Sequence, residues 1–232
     1  MRVAIMQPYL FPYVGYFQLM HAVDAFVLLD DVAFIKKGWI NRNRLLVKGA
    51  AHLFTIPLAG SSQNKRIKDL ELHPDSRARQ KLLATIRQEY RAAPEFAHVF
   101  PLVEQVLFEA GPDLTHVVLT SLELINTYVG LPVPILRSSA LVQPDQAGGQ
   151  ARIIAICQRL GAHEYLNMLG GQALYSAAEF ARQGIQLRFL QPMLTPYPQY
   201  SQAFMPGLSI IDLLMHNNAR RTRELFQQMF ML

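Results

Sequence analysis

The stretch Arg2-Val3-Ala4-Ile5-Met6-Gln7-Pro8-Tyr9-Leu10-Phe11-Pro12-Tyr13-Val14-Gly15-Tyr16-Phe17, followed by Ala25-Phe26-Val27-Leu28-Leu29-Asp30-Asp31, decides the fold. Residues 2–6 are apolar and β-branched with little alternation, as in a buried strand. Pro8 and Pro12 disfavour the helical region for the residues before them, so 7–12 reads as a loop. A helix is expected over 14–23 and a second strand over 25–29. Strand, short crossover and strand make a parallel pair, which implies an α/β architecture.

Working outward, a small antiparallel strand insertion is expected near 44–72. It comprises strands at 44–47 and 52–57 about a turn at Lys48-Gly49, a polar loop at 59–64 and an edge strand at 67–72. Helices are predicted over 76–92, 96–110 and 114–129, a helical subregion at about 76–130 inside a single α/β domain, 1–232. Short strands at 133–136 and 165–168 flank a helix at 150–160. A helix at 171–183, a strand at 185–190 and helical pieces at 209–215 and 219–229 complete a helical C-terminal part. The expected whole is a mostly parallel sheet with flanking helices.

Hydrophobic residues make up 51% of the chain and charged residues 17%, enough apolar surface for a large core and too much for disorder. No stretch reaches the ~20 apolar residues of a membrane span. The start shows no signal-peptide pattern, so a cytoplasmic location is expected. The single cysteine, Cys157, excludes a disulfide framework and reads as a buried structural thiol in the apolar run 153–157. The net charge of +5 suits an anionic small molecule, and the dispersed basic residues make nucleic acid an unlikely partner. The apolar end, 226–232, packs either on the body or on a partner, which leaves a homodimer open.

Ligands of parallel α/β sheets bind beyond the carboxyl ends of strands. That rule makes Gln7, Pro8 and Tyr9 candidate substrate contacts. Gly15 and Tyr16 open the following helix, whose free N–H groups attract anions and whose glycine permits close approach. Phe11 is open between ligand contact and core packing. Asp30-Asp31 end the second strand on the same edge, as acids that orient or deprotonate a substrate or as a solvated turn. The basic run Lys36-Lys37-Gly38-Trp39-Ile40-Asn41-Arg42-Asn43-Arg44 follows at once and would ion-pair such acids. Lys37 and Arg42 are candidates to hold an anionic donor, Arg42 bidentately, with Trp39, Asn41 and Asn43 around the acceptor. Ser138 and the turn Gly170-Gly171 are expected at the same edge. Ser209 with Asp212 reads as a helix N-cap and its N3 acid, or as a further ligand contact. The seven histidines show no metal-ligand spacing, and no nucleophile elbow, Walker loop or dinucleotide fingerprint is present. No metal ligand is assigned and the cofactor is unknown.

The segments 6–17, 29–32 and 37–44 resemble the WbqC-like family of bacterial proteins. Further similarity runs through Ile56-Pro57-Leu58, Ala93-Pro94-Glu95-Phe96, Arg137-Ser138-Ser139 and Leu208-Ser209-Ile210-Ile211-Asp212-Leu213-Leu214, so it spans nearly the whole chain. Asn167-Met168-Leu169 and Ser76-Arg77-Ala78-Arg79 depart from the family pattern. The resemblance implies a place in O-antigen or other surface polysaccharide biosynthesis and an acyl or glycine-type aminoacyl transfer. On that expectation Asp30 or Asp31 handles the acceptor, Lys37 and Arg42 hold the donor, and alanine at Asp31 or Arg42 abolishes product with the fold intact. The alternatives are an ATP-dependent ligase or nucleotidylyltransferase on a similar fold, suggested by layout alone, and a non-catalytic binding protein.

Overall fold

Arg2–Met6 form β1 at the centre of a sheet because both of its faces are apolar: Val3 and Ile5 enter one buried cluster, Ala4 another. The computed structural model describes residues 1–142 and 148–232. From β1 the chain passes through α1 (Val14–His21) into β2 (Ala25–Leu28). The two strands pair in parallel, Val3 opposite Ala25 through Met6 opposite Leu28.

The insertion begins with an antiparallel hairpin, β3 (Arg42–Val47) and β4 (Ala50–Thr55). Lys48 and Gly49 both have positive φ, 51° and 78°, as the two-residue turn matching the strand twist requires. Then come α2 (Arg77–Tyr90), α3 (Phe96–Phe108) and α4 (Leu114–Val129). Asp113 caps α4 by accepting from the His116 N–H at 2.7 Å, and left-handed Gly130 closes it. β5 (Ile135–Arg137), α5 (Ser138–Leu141), α6 (Gly149–Arg159), β6 (Glu164–Met168), α7 (Ala177–Arg182) and β7 (Gln186–Pro192) continue the α/β alternation, followed by α8 (Ile210–His216), α9 (Ala219–Phe226) and β8 (Met229–Met231).

Among the described residues the main sheet has six strands in the order β5-β2-β1-β6-β7-β8, all parallel except the β7–β8 pair. The chain thus builds outward from β1 to β5, then returns across β1 to β6. Both faces are covered. Phe26 and Leu28 of β2 join the core shared with α1, α2, α3, α4, α8 and α9, whereas Ala25 and Val27 meet Ile153, Ile156 and Phe180 on the other side. Cys157 lies buried in that second cluster, where burial pushes its thiol up to about 12, as an inert core thiol should be. No helix among the described residues is long and apolar enough to cross a membrane.

Three local expectations change. The edge strand expected at 67–72 is a 3-10 turn, Ile67–Asp69, with single bridges from Leu58 to Leu72 and from Glu71 to Asp113. Ile67, Leu70 and Leu72 are all buried, a spacing that a straight strand cannot present to one core. The helix expected over 171–183 divides into a 3-10 segment, Leu169–Leu174, and the short α7. Gly170-Gly171 is a poor helix interior, because glycine loses the most backbone entropy on ordering. The last helix ends at Phe226, which stacks on Phe17 at 4.9 Å, and the apolar tail then packs on the body by adding β8 beside β7.

His21, in the last turn of α1, stacks on Phe226 at 5.3 Å with its Nε2 buried and unpartnered. Burial lowers its pKa to about 4. Between about 6.5 and 4 the unfolded chain binds a proton that the folded chain refuses, so stability present above 6.5 is lost as the pH falls through that window. His21→Phe keeps the stack and removes the titration. Its melting temperature is expected to fall less between pH 7 and pH 4.5 than that of the parent, as measured by circular dichroism.

Candidate functional site

Beyond the carboxyl ends of β1 and β6 lies a cleft of about 710 Å³, in the crevice where the strand order reverses. Met6 and Gln7 end β1 on one side, and Asn167 and Met168 end β6 on the other. Tyr9, Tyr13 and Tyr16 form an aromatic wall, and Trp39 together with Asn43 and Arg44 of β3 also lines the cleft. Gly170, Gly171, Leu174 and Tyr175 close the far side.

The wall is shaped by a strained turn. Phe11 sits at φ 46°, a left-handed conformation that costs a non-glycine residue roughly 1–2 kcal/mol. Its side chain is buried in the core, and its carbonyl accepts from Asn43 Nδ2 at 2.7 Å and from Ser209 Oγ at 2.9 Å. The Leu10 N–H donates to the Ile40 carbonyl, and the Ile210 N–H donates to the Pro12 carbonyl. The loop is therefore held from the hairpin and from α8 together, which sets Tyr9 and Tyr13 at the cleft. Tyr16 donates to the Gln7 carbonyl at 2.9 Å, and among the described residues the Gln7 side chain has no hydrogen-bond partner.

Gly15 is covered by the Tyr13 ring and does not line the cleft. A Cβ at that position would lie 2.6 Å from the Tyr13 ring, so the ring already covers the first turn of α1. Burial raises the Tyr9 phenol, burial and then Tyr9 push Tyr13 up to about 12, and fully buried Tyr16 stands well above the ordinary range. Near neutral pH these hydroxyls act as donors and not as bases.

Asn167 is 5% exposed, yet among the described residues its amide nitrogen has no acceptor. Its Oδ1 accepts from the Met168 N–H at 2.8 Å, which orients the amide. Gly171 makes the room, because a Cβ there would sit 2.7 Å from Asn167 Nδ2. Arg44 donates through Nη2 to the Gly207 carbonyl at 3.1 Å, while its buried Nε has no hydrogen-bond partner among the described residues. The guanidinium groups of Arg42 and Arg44 each lie 5.7 Å from the centre of the Trp39 ring. Among the described lining residues Arg44 is the one charged group; none is an acid, a lysine, a histidine or a cysteine.

The structure brings Gln7, Tyr9, Tyr16, Trp39, Asn43, Gly170 and Gly171 to one cleft. The other candidates lie elsewhere. Pro8 and Phe11 are buried behind the wall, and Lys37, at φ 62°, is exposed on the turn before Trp39. Asn41 donates to the Ile56 carbonyl, and Arg42 Nε donates to the Gly38 carbonyl. Tyr13, Arg44, Asn167 and Tyr175 complete the cleft without having been singled out. Arg44 carried a usable signal, since it alternates with Arg42 on one face of β3. Asn167 carried the same one as Gln7, a polar residue ending an apolar strand.

Asp30 and Asp31 are both buried and neither lines the cleft. Asp30 accepts from Arg137 Nε at 2.8 Å, from Ser139 Oγ at 2.8 Å and from the Ser139 N–H at 3.0 Å. Asp31 pairs with buried Arg152 of α6. The Ser138 hydroxyl stands between the acids, 3.1 Å from Asp30 Oδ1 and 2.7 Å from Asp31 Oδ1. The basic partners of the acid pair are thus Arg137 and Arg152, not the run at 36–44. Ser209 caps α8 through the Ile211 N–H at 3.4 Å, but Asp212 does not complete a capping box. It is buried and accepts instead from Tyr90 at 2.8 Å, Tyr197 at 2.7 Å and Gln199 at 2.8 Å, tying the loop before α8 to α2. Burial and then the Asp212 charge raise both phenols. Among the described residues no cluster of three His, Cys, Asp or Glu is placed to hold a metal.

Removing one partner of a buried ion pair strands the other and costs about 3–5 kcal/mol. Asp31→Ala is therefore expected to lower urea-unfolding stability by about that much, and Asp31→Ala with Arg152→Ala by less than the sum of the two single losses. An unchanged unfolding midpoint in Asp31→Ala would contradict this structural role.

Comparison with known proteins is consistent with the resemblance in the motifs. The uncharacterized protein Rv1507c of Mycobacterium tuberculosis is 26% identical over 225 residues, covering 94% of each chain. No solved structure matches. The match to the WbqC-like protein family runs over residues 7–224, and the chain belongs to that family.

Proposed function

We propose that the chain is a transferase that moves an acyl or aminoacyl group, of the glycine type, from an activated anionic donor to a sugar-borne amine in surface polysaccharide or related biosynthesis. One observation carries this reading. The cleft at the strand-order reversal combines an aromatic wall with three polar groups that lack full partnering, Gln7, Asn167 and Arg44, and a single positive charge. Aromatic faces suit a ring, and Arg44 suits a phosphate or carboxylate. Asn167 Nδ2, held by its Oδ1 bond, and the Gln7 amide can donate to a carbonyl oxygen as charge develops on it.

The described lining supplies no side chain suited to taking a hydroxyl proton near neutral pH, so an amine that enters unprotonated is the fitting nucleophile. Its nitrogen forms the bond to the acyl carbon, the bond to the donor's leaving group breaks, and the amine proton passes to the leaving group or to water. The protein's part is positioning and electrostatic stabilisation. Asp30 and Asp31 support the site from the neighbouring strand end.

A second reading, an ATP-using ligase or nucleotidylyltransferase, is favoured by the strand order. It equals that of doubly wound nucleotide-binding sheets, apart from the antiparallel last strand. That reading requires the Tyr13 ring to leave Gly15 before phosphates reach the helix N-terminus.

The two are separated by incubating the protein with amino sugars and either acyl phosphates or ATP plus an amino acid, with product read by mass spectrometry. Transfer without pyrophosphate release is expected. Arg44→Ala and Asn167→Ala should each lower the rate roughly 100-fold, in the range of losing one charge-stabilising donor, with melting temperatures near the parent's. Pyrophosphate release and nucleotide-dependent stabilisation would favour the second reading, and full activity in both variants would remove the first.

A further inference from the structure

The mouth of the cleft is apolar where solvent would favour polar side chains. Ile35 is 52% exposed, Trp39 42% and Leu174 72%. Ile35 and Trp39 belong to the turn after β2, whereas Leu174 ends the 3-10 segment after β6. Leu174 is distant in sequence from the other two, yet all three border one cavity. Single exposed apolar residues need no explanation, but three around one opening form a patch of the kind that marks a binding surface. The patch is not neutral in its setting. Lys36 and Lys37 are exposed on the same turn, Arg44 lies inside, and the described lining holds no acid. Apolar rim outside and positive charge within describe the two ends of one molecule.

We infer that one substrate is a single-chain amphiphile, its anionic head against Arg44 and its alkyl or prenyl tail leaving across Ile35, Trp39 and Leu174. This rests on the reading of the cleft as an anion-binding site. The rim lets the protein select for the tail without enclosing it, since each methylene laid on the patch leaves water whatever lies beyond. Trp39 is doubly placed, with its ring beside the Arg44 guanidinium and its outer edge on the rim. A bound tail therefore changes the surroundings of the sole tryptophan.

That tryptophan provides the assay. Its fluorescence is titrated with ethyl, hexyl and decyl phosphate, each below its critical micelle concentration. Affinity is expected to rise about two- to threefold per added methylene, somewhat below the factor for full burial because the rim is open, with a blue-shifted emission. Ile35→Ser and Leu174→Ser should each flatten the dependence on chain length, and Arg44→Ala should weaken all three ligands. Equal affinity for ethyl and decyl phosphate would overturn the tail, as would an undiminished chain-length slope in both rim variants. Tail-dependent binding unaffected by Arg44→Ala would instead overturn the anion site on which the inference rests. Rim-dependent binding to phosphatidylcholine–phosphatidylglycerol vesicles without added alkyl phosphate would make the patch a membrane contact and exclude the proposal.

Discussion

The carbonyl of Phe11 points inward because its residue is turned into the left-handed region, and two donors from distant parts of the chain meet it there. Asn43 comes from the hairpin and Ser209 from the cap of α8. A buried carbonyl without a partner would cost about as much as a lost hydrogen bond, so the turn, the hairpin and α8 stand or shift together. The cleft depends on this junction. Tyr9 and Tyr13 flank the turn, Arg44 follows Asn43, and the Ser209 N–H donates to the Arg44 carbonyl at 2.8 Å. The same few bonds that offset the strain also aim the aromatic wall and the positive charge at one space.

Charge is divided between two places with different tasks. Beside the cleft, two carboxylates, two arginines and two serines satisfy one another at the ends of β2 and β5. Buried charges are tolerated when paired and hydrogen-bonded in this way, and the cluster fastens the end of β2 to β5 and to the helices that follow it. Within the cleft the pattern is reversed. Arg44 and Asn167 are oriented by the protein but keep donor capacity unused among the described residues, in contrast to the fully paired acid cluster.

Much of the fold was legible because parallel strands buried on both faces are nearly all apolar, and residues 2–6 and 25–28 say so directly. The cleft was legible in part. Gln7 and Trp39 stood out as a polar strand end and as an exposed-type aromatic among cations, and both line it. The acid pair was conspicuous for the wrong neighbours. Adjacent sequence suggested Lys37 and Arg42, whereas Arg137 and Arg152 reach Asp30 and Asp31 from more than 100 residues away. No local pattern announces a partner at that separation. Asp212 misled likewise, since an acid three residues after a serine suits a capping box and equally suits two distant tyrosine hydroxyls.

By itself, then, the sequence determined the strand–loop–helix–strand opening, the α/β class and the family, because periodicity and proline chemistry act over a few residues and the motif is long. The tertiary structure alone decided the strand order, and with it the crevice between β1 and β6 that brings Gln7 beside Asn167. It also decided which cations meet the buried acids and that Arg44 lines the cleft instead. Those outcomes follow from close packing of segments far apart in the chain, where burial makes each charge and each amide find a partner or keep one place open.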